Sequence, residues 1–174
     1  AEPDGRFRVD LLVSAGQQYE FSNVRIVGED KAIPAGLVSK NLEVQVGAPI
    51  IADDVRSAEA TVSLLFPYNG YPFAKVEDRD ILLDGETKTG AYTLPVDTGP
   101  RSSFGQLVTT GDPVFGLDHL NVFPRFDQGE LYDARLTDDL RDALVATGLF
   151  SSVSVVPQQT GRAGPDGTEQ VDLL

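Results

Sequence analysis

The side chains that could do chemistry are few. Among 174 residues there is one histidine, His119, and there is no cysteine. One imidazole cannot form a histidine cluster. Without thiolates there is no ligand set for structural zinc, no thiol nucleophile and no disulfide framework. His119 therefore reads as a surface residue on a short helix. Carboxylates are plentiful, 27 Asp and Glu against 14 Lys and Arg, for a net charge of −13. The nearest approach to an acid–base dyad is Asp53-Asp54 or Asp138-Asp139. The first pair opens a helical stretch, where the dipole favours negative charge. The second sits on a polar helix face with Arg135 and Arg141 nearby. Gly164-Pro165-Asp166-Gly167 lacks the alternating oxygen ligands and terminal Glu of a calcium loop, and reads as a hairpin loop. No phosphate loop or Ser-His-Asp set is present. These residues point away from an enzyme and imply no metal and no cofactor.

The charge also restricts partners. Nucleic acid needs Lys and Arg against its phosphates, and anionic lipid repels a chain this acidic. No apolar run approaches the ~20 residues of a membrane-spanning helix; the longest, Val62 to Phe66, stops at Pro67. Ala1 to Gly5 is polar and acidic, unlike a signal peptide, and the chain has no methionine. The expectation is a processed or excised piece of something longer. What remains for recognition is the backbone itself, which directs attention to the elements that would present it.

Those elements repeat. Val13-Ser14-Ala15-Gly16-Gln17-Gln18-Tyr19-Glu20-Phe21 can be laid over Val96-Asp97-Thr98-Gly99-Pro100-Arg101-Ser102-Ser103-Phe104, a shift of 83 residues. The same shift puts Leu11 on Leu94, Val24 on Leu107, Gly28 on Gly111 and Leu37 on Leu120. Gly47 then corresponds to Gly129, and Gly70 to Gly148, after a small drift. Each copy reads as strand, short helix, longer helix, strand, strand. In the first, Phe21–Val27 alternates as a half-buried strand. Ala35–Asn41 is a weak helical turn. Asp53 caps a helix with Val55, Ala58, Val62, Leu65 and Phe66 on one face. Phe73–Leu83 is expected as one long strand, Asp84-Gly85 as a turn, and Ala91–Val96 as the third strand. In the second, Phe104–Thr110 is a strand and Phe115–Val122 carries the short helix. Asp133 caps a helix with an apolar stripe of Leu136, Leu140, Ala143 and Leu144, and Gly148 ends it. Phe150–Val156 is expected as a strand, Gly161–Gly167 as a loop and Val171–Leu173 as the last strand. Phe7, Val9, Leu11 and Val13 alternate like the third strand of a preceding unit. The organisation is thus residues 1–15 as the final strand of an earlier unit, then units at 16–98 and 99–174, with both ends cut through a longer array.

A tandem β-α-α-β-β unit resembles the POTRA domain. The resemblance is carried by Val24-Arg25-Ile26-Val27-Gly28, by Gly70-Tyr71 and Gly148-Leu149-Phe150 at the helix ends, and by the junction Val96 to Gly105. The junction, with Tyr71-Pro72-Phe73-Ala74-Lys75-Val76 and Thr147 to Val153, is most similar to the TamA branch of the BamA/TamA outer-membrane assembly factors. The resemblance covers nearly the whole chain. It implies an α+β fold of tandem POTRA domains, each a three-stranded mixed sheet covered by two helices. It implies a periplasmic arm with a membrane β-barrel downstream, and unfolded outer-membrane proteins or autotransporters as partners. It also implies a TamB-like partner anchored in the inner membrane. A POTRA region of a two-partner secretion transporter and a purely structural spacer are the alternatives.

In this family the second strand is a sheet edge, able to add an extended client as a further strand. That maps onto Phe73, Ala74, Lys75 and Val76 in the first unit and onto Ser151, Ser152, Val153, Ser154 and Val155 in the second. Charge at Lys75 and from Glu77 to Asp80 crowds the first edge, so the uncharged second edge is expected to be the more receptive, unless a neighbouring domain covers it. Gly99-Pro100-Arg101 is the joint between units, either stiffened by Pro100 or an ordinary turn, with Arg101 expected near a carboxylate.

Overall fold

The computed structural model describes residues 11–12, 16–111 and 115–174. It contains two small sheets, each with its own apolar cluster. The first unit opens with β1 (Glu20–Val27), followed by helix α1 (Ala52–Leu65) and strands β2 (Lys75–Val76), β3 (Asp80–Asp84) and β4 (Thr89–Asp97). The second has β5 (Ser102–Leu107), α2 (Leu117–Leu120), α3 (Ala134–Ala146), β6 (Pro157–Ala163) and β7 (Glu169–Leu173). In both sheets the last strand is central. β4 pairs in parallel with β1 and antiparallel with β2 and β3, and β7 pairs in parallel with β5 and antiparallel with β6.

The repeat holds at the level of single hydrogen bonds. Phe21 N–H donates to the Ala48 carbonyl at 2.9 Å and Gly47 N–H donates to the Phe21 carbonyl at 2.7 Å. Phe104 N–H donates to the Glu130 carbonyl at 2.8 Å and Gly129 N–H donates to the Phe104 carbonyl at 2.7 Å. Gly47 and Gly129 both have positive φ, 84° and 89°, which turns the chain back onto the strand. Phe21 and Phe104, 3% and 0% exposed, anchor the two clusters. Phe21 meets the edge of Tyr92, and Phe104 stacks on Phe126.

The helices follow their apolar stripes. Val55, Ala58, Val62 and Phe66 of the first helix are buried, as are Leu140 and Leu144 of α3. Asp133 caps α3 as expected, its carboxylate accepting from Arg135 N–H at 2.9 Å. Asp53 does not cap α1: the cap is Ile51, and Asp53 lies inside the first turn, paired with Arg56. Ala35–Asn41 forms turns with helix-type bonds, Lys40 N–H to Gly36 and Leu42 N–H to Val38, and no full helix. The Glu29 carboxylate caps that turn by accepting from Val38 and Ser39 N–H.

Two strand expectations are corrected. The long strand over Phe73–Leu83 is broken at residues 77–79. Pro95 stands opposite in β4; its carbonyl accepts from Glu77 N–H at 3.0 Å, but proline has no N–H to return. The two pieces flank a register slip, with Val76 opposite Val96 and Asp80 opposite Thr93. In the second unit the edge ladder is β6, Pro157–Ala163, where the sequence suggests a loop from Gly161, and residues 151–155 pair with no strand among the described residues. The ladder's position is dictated by β7, whose partner across the Pro165–Gly167 turn is the polar run 157–163. Residues 153 and 155 still alternate inward between exposed neighbours. The strand expected over residues 6–14 lies outside the described residues except at Leu11 and Leu12, which are exposed and outside any strand.

Candidate functional site: sheet edges and the joint between units

An open sheet leaves two backbone rims, in the first unit, whose sheet has four strands, as in the three-stranded sheet of the second. Here the rim at the start of the first strand is closed locally in both units. Glu20 bridges Pro49 and Ser103 bridges Leu131, so the segment entering the long helix covers that edge. The opposite rims are the open ones, formed by β2 and β3 in the first sheet and by β6 in the second.

These two rims differ in chemistry. β6 begins at Pro157, which donates no hydrogen bond, and has a register shift between Gln159 and Arg162 around Gly161, whose φ is 70°. Proline and bulges on an edge impede strand addition. β3 carries Ile81-Leu82-Leu83 between Asp80 and Asp84. Leu82 is 72% exposed and Leu83 51% exposed. Leu82 faces away from α1, because its β4 partner Ala91 alternates with the buried Tyr92 and Gly90. The charge that crowds the edge at Glu77–Arg79 lies in the break, off the ladder. There Arg79 reaches across to Glu59 of α1 at 2.7 Å, and Glu59 also accepts the Tyr92 hydroxyl at 3.0 Å. Burial, and then that bond, push the Tyr92 phenol well above the usual tyrosine range.

The residues singled out from sequence fall in three places. Lys75 and Val76 stand on the edge in β2, while Phe73 and Ala74 lie in the turn before it. Ser151, Ser152, Val153, Ser154 and Val155 lie before β6, with Val153 and Val155 packed against the second cluster. Gly99, Pro100 and Arg101 connect β4 to β5. Gly99 has φ +60° and donates its N–H to the Asp97 carboxylate at 3.1 Å. Among the described residues no carboxylate pairs with Arg101, and its Nε is buried without a hydrogen-bond partner there. Its carbonyl accepts from Glu169 N–H at 2.8 Å, which ties the connection to β7. His119 is exposed on α2, and Asp138 pairs with Arg141 at 3.0 Å on the polar face of α3.

The joint is more extensive than its connecting residues suggest. Ser102 N–H donates to the Gly70 carbonyl at 2.7 Å. Gly70, φ +94°, has Leu131 so close that a Cβ would meet its Cδ1 at 2.7 Å. Arg135 lies 5.2 Å over the Tyr68 ring. Phe73, on the first unit's side of the connection, packs against the second cluster. Sequence reasoning misses this because an aromatic after a glycine turn carries no mark of which core it will enter.

No family model matches the chain. Among solved structures, it is similar to POTRA domains 3 to 5 of BamA from Haemophilus influenzae, with 24% identity over 91% of this chain and a TM-score of 0.66. It is similar to BamA from Haemophilus ducreyi lacking POTRA domains 1–3, with 21% identity over 89% of this chain and a TM-score of 0.68. POTRA domains 1 and 2 of the periplasmic domain of Omp85 from Anabaena match at 13% identity and a TM-score of 0.55, covering 91% of this chain and 96% of that one. The fold is POTRA-like α+β. The chain spans 60% of the H. influenzae chain and 28% of the H. ducreyi chain. Among the described residues, no helix is long and apolar enough to cross a membrane.

Proposed function

We propose that this chain is a periplasmic arm of an outer-membrane β-barrel assembly and translocation factor, built from POTRA units at 16–98 and 99–174. The arm holds extended stretches of unfolded outer-membrane proteins by adding them to a sheet edge. The observation that carries this reading is the open rim of β3 on a POTRA-like sheet, with Leu82 72% exposed between two aspartates. Main-chain hydrogen bonds bind whatever the client sequence, while Leu82 favours an apolar side chain on the face away from α1. β6, with its proline and bulge, is the poorer edge. The junction Val96 to Gly105 resembles the TamA branch, and with it come autotransporter clients and a TamB-like partner.

The test is site-specific photo-crosslinking in cells carrying the full-length protein. A crosslinker replacing Leu82 is expected to capture unfolded outer-membrane precursors, and one replacing Ser57, exposed on α1, is not. Capture at Ser57 with none at Leu82 refutes strand addition at this rim. Restoring outer-membrane insertion with a neutral linker of equal length refutes binding altogether and leaves a spacer.

A further inference from the structure

The open rim of β3 carries a charge pattern that its own fold leaves unanswered. Residues directly opposed across a ladder share a face of the sheet. Asp80, Leu82 and Asp84 stand opposite Thr93, Ala91 and Thr89 of β4. All three therefore project from the face away from α1, two residues apart along the strand, and all three are exposed.

The cations that flank the strand in sequence are drawn elsewhere. Arg79 donates to Glu59 at 2.7 Å, and the Lys88 ammonium lies 5.8 Å over the Tyr19 ring. Among the described residues, neither Asp80 nor Asp84 has an ion pair. Asp84 is fixed by its own turn: one carboxylate oxygen accepts from Glu86 N–H at 2.8 Å and from Thr87 N–H at 3.3 Å. Those bonds, the one from Glu86 first, hold its carboxyl below the usual carboxylate range, so it stays charged at neutral pH.

A strand added to this rim sets its own residues against Asp80, Leu82 and Asp84. The triplet reads the same in both directions, so the demand is equal for parallel and antiparallel addition. Opposite charges across a ladder are favourable and like charges are destabilising. A second copy of this rim is accordingly a poor partner. Centred on Leu82, antiparallel pairing opposes Asp80 to Asp84, and in-register parallel pairing opposes each aspartate to its own copy. We infer that the β3 rim selects extended segments in which an apolar residue is flanked, two positions away on either side, by lysine or arginine. The inference rests on strand addition at β3 and adds the class of segment that is held there.

The probes are photo-activatable peptides of threonine and valine around a central leucine, presented to the full-length protein, with crosslinks mapped to residues 80–84. Three of them differ only two positions either side of the leucine, where both residues are lysine, both glutamine or both glutamate. A fourth carries its two lysines next to the leucine, on the opposite face, at the same net charge as the first. With two opposed pairs, the first peptide is expected to bind about fivefold more tightly than the glutamine peptide. The fourth is expected to lose that gain, and the glutamate peptide to bind most weakly. In about 1 M salt the differences are expected to shrink to about twofold or less. Asp80→Lys combined with Asp84→Asn, which keeps the acceptor oxygen of the turn, is expected to reverse the order of the lysine and glutamate peptides. Equal crosslinking of lysine and glutamate peptides within residues 80–84 overturns the inference and leaves strand addition standing, as does a fourth peptide that matches the first. If no peptide crosslinks within residues 80–84, strand addition itself fails and the inference falls with it.

Discussion

Phe73→Ala tests whether the two units behave as one. Phe73 follows the Gly70 turn of the first unit but packs against the second cluster, which centres on Phe104, Tyr132 and Leu140. Truncating a fully buried phenylalanine costs about 3–5 kcal/mol, transfer and cavity together. Phe73 is only partly buried, so the transfer part alone, about 1.5–3 kcal/mol, is the better guide. This loss falls on the contact between units, because the Phe66–Tyr71 and Phe21–Tyr92 pairs of the first core do not involve it. At 1.4 kcal/mol per decade, the population with the joint open rises by about ten- to a hundredfold. Urea unfolding, followed by hydrogen exchange on peptides from each unit, reads the effect. The native chain is expected to unfold both units in one transition. Phe73→Ala is expected to split it, with the second unit melting first. Leu140→Ala, at a site 2% exposed inside the second core, is the comparator and is expected to cost about 2–5 kcal/mol. A Phe73→Ala chain that keeps a single transition and loses less than about 0.5 kcal/mol, the range of an ordinary surface change, refutes the coupling.

Four further outcomes follow from the same contacts. Gly28→Ala would set a Cβ 2.1 Å from the Val96 carbonyl oxygen at φ +97°, and should lower the melting temperature far more than Gly148→Ala, where only the left-handed backbone costs about 1–2 kcal/mol. Tyr92→Phe removes the bond to Glu59 and should cost about 1–3 kcal/mol at neutral pH in denaturant titration. Because the Tyr92 phenol is raised in the fold, its contribution is complete below the unfolded value of about 10 and is lost as pH climbs from there towards the folded value. The native chain should therefore lose stability with rising alkalinity more steeply than Tyr92→Phe. Asp133→Ala removes the α3 cap and should cost about 1 kcal/mol, read as earlier exchange in the first turn of α3. Leu82→Lys should leave stability within about 0.5 kcal/mol while weakening crosslinking of clients along β3, since a charged edge resists pairing.

The part of the fold legible in the sequence is the part fixed locally. Phe21 and Phe104, Gly47 and Gly129, and the helix stripes are set by short-range turn chemistry and by period; the repeat shift of 83 residues finds the phenylalanines, and the glycines and stripes follow in the same order after a small drift. The part that was not legible depends on a distant partner. Whether residues 150–156 or 157–163 form the edge ladder is decided by where β7 pairs, and the polar run Gln158-Gln159-Thr160 has no apolar alternation to betray a strand with an open face. The break at residues 77–79 did have a visible signal, Pro95 within the central strand, but its consequence appears only once β2 is placed opposite it.

That break changes which edge is open to strand addition. If Phe73–Leu83 were one ladder, its charged centre would protect the rim. Pro95 instead interrupts the ladder after the single Glu77 bond and lets Arg79 close over Glu59, which leaves Ile81-Leu82-Leu83 as the uncharged core of a short edge. In the second unit Pro157 and the Gly161 bulge do the opposite: they blunt an edge whose sequence is otherwise nearly neutral. The rims at the strand starts are closed in both units by the segments after Gly47 and Gly129. Local devices of proline, glycine and charge therefore leave the β3 rim of the first unit available, at the far side of its sheet from the closed β1 edge, while Phe73 and Gly70 hold that unit against its neighbour.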